Sequence, residues 1–116
     1  MNDQQLLEMA AKAAGIKGTL IEQEGMFSIR VEPKILGQKY YFWNPLYNDS
    51  QAFRLSMKLS MHVASTGTNV LARSKSVHVE YYDAETDLFG NEQSNLMKAA
   101  RRAIVRAAAE VGEAMP

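Results

Sequence analysis

Residues 40–61, YYFWNPLYNDSQAFRLSMKLSM, decide the fold. The aromatic run Tyr40 to Trp43 suits a pleated strand, in which alternate side chains reach opposite faces. Pro45 cannot donate to a ladder, and the residue before a proline avoids helical angles, so pairing must stop at Asn44-Pro45. Asn48 or Asp49 then offers the short acceptor side chain of a helix cap. Beyond it Ala52, Leu55, Ser56 and Leu59 form an inner stripe, with Arg54 and Lys58, four residues apart, outside. A strand therefore hands over to a helix at one corner, and that corner carries the chain's only tryptophan.

Toward the N-terminus, KILGQ connects the KYYFWN strand to MFSIRVE, which Pro33 ends. Phe27, Ile29 and Val31 share one face of that strand, with Ser28 and Arg30 on the other. TLIEQ precedes it across a Glu24-Gly25 turn, a hairpin pattern. A first helix is capped by Asn2-Asp3, places Leu6, Leu7, Met9, Ala10, Ala13 and Ala14 inward, and stops at Gly15. Toward the C-terminus, HVAS, TNVLARS and SVHVEYYD read as strands divided by Gly67 and Ser74-Lys75. A polar loop closing at Phe89-Gly90-Asn91 precedes a long helix from about Glu92 to Gly112. The order α-β-β-β-α-β-β-α, with room for one further strand, predicts an α+β fold. We expect one two-layer domain over residues 1–116: a mainly antiparallel sheet of four to six strands, with N-terminal, central and long C-terminal helices.

Thirteen basic and thirteen acidic side chains cancel, so no global charge draws the chain to nucleic acid or to an anionic membrane. With no cysteine, disulfides, thiolate metal sites and cysteine nucleophiles are excluded. The N-terminus lacks a basic stretch followed by an apolar core, and no apolar run is long enough to span a bilayer. These features fit a soluble protein of a reducing cytoplasm, with no membrane partner.

Several constellations could carry chemistry. On the last helix, Leu96, Met97, Ala100, Ala103, Ile104, Ala107, Ala108 and Val111 gather on one side, and Lys98, Arg102 and Arg106 on the other, with Arg101 at the boundary. That cationic stripe could follow a phosphate backbone, or be a solvated face complementing the helix dipole. The many small residues in AARRAIVRAAAEVG allow close approach to the sheet, or to a second copy in a homodimer. Asp83, Glu85 and Asp87 alternate as in a calcium loop, but Leu88 and Ser94 stand where glycine and glutamate are needed. His62 and His78 lie in strands that could be neighbours, the one basis for a metal-dependent hydrolase, and no further ligand is in evident register. No nucleophile elbow or phosphate-binding glycine loop is present. Tyr40, Tyr41, Phe42, Trp43, Tyr81 and Tyr82 pack a core or, where outward, offer stacking anchors.

The segments WNPLYNDSQAFRLSMKL and AARRAIVRAAAEVGEAM, taken as a pair, resemble small proteins encoded by tailed bacteriophages and prophages. There a W-N-P-L segment precedes an acidic turn and an A-x-R-L-x-x-K-L helix, and an R-R-A-I-V-x-A-A-A-E helix closes the chain. The turn here, Tyr47-Asn48-Asp49-Ser50, is less acidic than that pattern. The resemblance implies phage origin and residence in the bacterial host cytoplasm, and brings no catalytic residue or cofactor. The leading expectation is a small non-enzymatic accessory protein that binds a host or phage protein, modulating host processes or defence. Its contacts would be Trp43, Asn44, Asp49, Arg54 and Lys58, with no cofactor and no metal. The alternatives are nucleic-acid binding through Lys98, Arg101, Arg102 and Arg106, and hydrolysis around His62 and His78.

Overall fold

A computed structural model describes residues 1–33, 35–75, 77–81 and 92–116, of which 92–94 are described by backbone alone. In chain order the elements are α1 (Asp3–Ala14), β1 (Thr19–Gln23), β2 (Met26–Val31), β3 (Tyr41–Trp43), α2 (Asp49–Lys58), β4 (His62–Ser65), β5 (Asn69–Arg73), β6 (Val77–Tyr81) and α3 (Glu92–Ala114). The class is α+β, and all three divided C-terminal segments form strands. The polar loop with Asp83, Glu85 and Asp87, along with Tyr82, lies outside the described residues.

The local signals act as their chemistry requires. The Asn2 side chain accepts the Gln5 backbone N–H at 2.9 Å while Gln5 Oε1 accepts the Asn2 N–H at 3.0 Å, a reciprocal cap that satisfies two otherwise orphaned donors of α1. Glu24 and Gly25 take φ of 52° and 79°, the paired left-handed geometry that lets a two-residue turn match the twist of β1 and β2. Asn48 caps α2 by accepting the Gln51 N–H at 2.9 Å. Ser60, at φ 54°, closes α2 as Met61 N–H bonds back to Ser56 O at 2.9 Å.

The strands form two antiparallel sheets of three, β1-β2-β3 and β4-β5-β6, rather than the one sheet expected. The break falls between β3 and β4, where the ten residues of α2 intervene and β4 starts a new ladder against β5. β3 is also shorter than KYYFWN suggests, pairing only through Tyr41, Phe42 and Trp43.

α1 packs along α3; β2 lies against α1, while β5, β6 and α2 lie against α3. The long helix is therefore buried over a wider arc than its apolar stripe, with Ala99, Val105, Ala109 and Gly112 buried as well. At Gly112 a Cβ would stand 1.9 Å from the Met9 carbonyl oxygen, so the two backbones meet where only glycine fits. The small-residue face that could have met a second copy is occupied by α1 and the second sheet of the same chain.

Candidate functional site

The corner at residues 43–51 is held by two amides. Asn44 is buried; its Nδ2 donates to Phe27 O at 2.8 Å and its Oδ1 accepts the Leu46 N–H at 3.2 Å. Its carbonyl accepts from Tyr47 and Asn48. Gln51 reaches back from α2, accepting the Asn44 N–H at 2.6 Å and donating to Phe42 O at 2.8 Å. The Asn44 amide and backbone, the Leu46 N–H and the Phe42 carbonyl beside Pro45 thus find partners, as burial demands. Trp43, 6% exposed, points inward from β3 opposite Ile29 of β2.

Arg101 locks this corner to α3. Its Nε donates to Leu46 O at 2.8 Å and its guanidinium pairs with Asp49 at 2.6 Å. The other guanidiniums of the α3 stripe also face carboxylates, Arg102 in a hydrogen bond and Arg106 in a close contact without hydrogen-bond alignment. Arg102 lies 3.4 Å from Asp3 of α1, and Arg106 lies 2.7 Å from Glu80 of β6. Neither is the freely solvated face drawn by helical projection; Lys98 alone of the four candidate cations is exposed, the other three being half-buried.

Two flanks of α2 differ in chemistry. Arg54, Lys58, Gln51 and Leu55 face a cleft of about 370 Å³ whose other walls are Ala14, Ile16, Tyr41 and Trp43. Among the described residues no carboxylate lines it. Among the described residues neither Arg54 nor Lys58 has an ion pair. Of the five residues expected at a partner surface, Trp43, Arg54 and Lys58 meet here. Asn44 and Asp49 are directed elsewhere, Asn44 to β2 and Asp49 to Arg101. The opposite flank of α2, with Phe53 and Met57, borders an apolar groove against α3. Tyr41 as a cleft wall, Gln51 as the clamp and Phe53 with Met57 as an outward pair escaped the sequence reading. Projection of α2 at 100° per residue would have separated the last two from Arg54 and Lys58.

His62 and His78 are not neighbours. β5 separates their strands, and the register puts His62 opposite Arg73 and His78 opposite Ala72, on opposite faces of the sheet. His78 Nε2 instead lies 2.9 Å from Glu110 of α3, a close contact without hydrogen-bond alignment. Among the described residues no group of three or more His, Asp or Glu side chains gathers as a metal would need, and no helix is long and apolar enough to cross a membrane. On the outer face of the first sheet, Tyr40 meets Phe42 edge to face at 5.6 Å, and Arg30 lies over Tyr40 at 5.3 Å.

The fold and this cleft define a small α+β chain of two antiparallel sheets and three helices, with a cation-rimmed, aromatic-walled cleft at the sheet-to-helix corner. No family model, curated protein or solved structure matches the chain.

Proposed function

We propose that the chain is a small non-enzymatic bacteriophage accessory protein that binds a host or phage protein, and that the cleft beside α2 receives an acidic segment of that partner. One observation carries the reading: Arg54 and Lys58, four residues apart on one helix face, stand without an ion pair among the described residues over a floor of Tyr41, Trp43, Ile16 and Leu55. Like charges at that spacing repel, and a partner carboxylate relieves the repulsion. The apolar floor beside them rewards an aliphatic or aromatic neighbour of that carboxylate. Phage origin rests on the W-N-P-L and R-R-A-I-V segments. Nucleic-acid binding through α3 has less support, because Arg101, Arg102 and Arg106 each already face a carboxylate of this chain.

The test compares wild type with Arg54→Glu/Lys58→Glu, both at exposed positions, as bait in bacterial lysate with and without phage infection. Wild type retains a partner that the reversed pair does not, and its retention weakens as salt rises. Equal recovery of every bound protein by the two baits would refute the cleft as the binding surface.

A further inference from the structure

The second flank of α2 carries an independent feature. Between α2, β4 and α3 runs a groove of about 330 Å³, walled by Met57, Met61, Val63, Met97 and Ile104. Phe53 stands at its edge, 64% exposed, with Met57 at 63% and Val63 at 38%. Phe53 and Met57 are one helical turn apart, so they form a continuous apolar ridge. The largest apolar patch of a monomeric protein usually spans about 300–600 Å² and is often functional.

We infer that this ridge and groove form an isologous interface at which two copies of the chain pair about a two-fold axis, each Phe53 entering the groove of the other copy. Three observations select a second copy as the occupant. A self-complementary contact needs a protrusion and a recess within one patch, and here they adjoin. A two-fold axis also brings each charge toward its own kind, which penalises a charged patch. The charges bordering this groove, Asp49 and Arg101, neutralise each other at 2.6 Å, and the whole chain has a formal net charge of zero.

Area is the third. At about 200 Å² for a large side chain, Phe53, Met57 and Val63, with the edges of Met61 and Met97, expose on the order of 350 Å². Two copies joined here would cover on the order of 700 Å² of apolar surface, the centre of the roughly 1,600 Å² a specific interface buries. Methionines on both walls let the groove adapt to an entering ring.

Sedimentation equilibrium between about 1 and 200 μM, the span over which an interface of this modest size associates, tests the pairing. Wild type approaches twice its 13.0 kDa mass at the upper end. Phe53→Glu and, separately, Met57→Lys raise the dissociation constant about 100-fold or more. Both positions are exposed, so far-UV circular dichroism of each variant stays that of wild type. A wild-type mass of 13.0 kDa at every concentration overturns the inference, including the case in which the groove takes a helix of another protein. A dimer that persists in both variants overturns it too. Arg54→Glu/Lys58→Glu dimerises as wild type does, so this result is separable from the fate of the cleft.

Discussion

Gly112→Ala sets two forces against each other, and the structure says which wins. Gly112 is a helical residue of α3, and alanine in its place favours the helix by about 1 kcal/mol. Yet the new Cβ would lie 1.9 Å from Met9 O, 2.8 Å from Met9 C and 3.3 Å from Ala13 N. These are backbone atoms, so no rotamer change relieves the contact. Carbon approaches a carbonyl oxygen to about 3.3 Å, hence α1 and α3 must part by more than about 1 Å. A gap of that size forfeits a quarter to a half of the dispersion energy across the contact, and Leu7, Ala10, Ala103 and Ala107 of the same two helices are all fully buried. Fraying the last turn of α3 would avoid the clash only by exposing Val111 and breaking the bond from Lys12 Nζ to Met115 O. Overpacking costs about 1–3 kcal/mol, and backbone against backbone falls at the upper end, so after the roughly 1 kcal/mol gained in helix propensity we expect a net loss of about 2 kcal/mol. In a chain of this length that lowers Tm by about 8 °C. Thermal unfolding followed by circular dichroism, with urea titration in parallel, measures it. A Tm equal to or above that of wild type would show that helix propensity governs the site, and would refute the close crossing of α1 and α3.

Two further substitutions probe the corner. Arg101→Met keeps the aliphatic stem but leaves Leu46 O without its donor and Asp49 without its partner; we expect a loss of roughly 1–3 kcal/mol by urea unfolding, and no loss would mean that the α3 tether is not structural. The lone tryptophan gives a direct optical check: buried Trp43 emits at short wavelength and resists acrylamide quenching until the chain unfolds. Trp43→Ala costs about 3–5 kcal/mol, whereas a wild-type indole as accessible as free tryptophan would contradict its place against Ile29.

Much of the secondary structure was legible because it is set by neighbours in the chain. Asn2, Gly15, Glu24-Gly25, Asn44-Pro45 and Asn48 act within a few residues of themselves, and each ends or starts the element its chemistry implies. The candidate cleft was legible in part. Arg54 and Lys58 follow from the period of α2, but Trp43 joins them, and Asn44 and Asp49 leave, through contacts with β2 and α3.

What the sequence alone determined is the class of the chain: α+β, with its three helices and the three N-terminal strands in their observed order, and neither thiol chemistry nor a net charge. Those properties depend on residue types and short spacings. What only the tertiary structure decided is the assignment of the charges and the splitting of the sheet. Arg101, Arg102 and Arg106 look alike on a helical wheel, yet they face Asp49, Asp3 and Glu80, which lie 52, 99 and 26 residues distant. Helical periodicity reports which side chains leave an axis together. Which carboxylate waits for each is settled by how α1, α2 and β6 close around α3, and no local pattern records that.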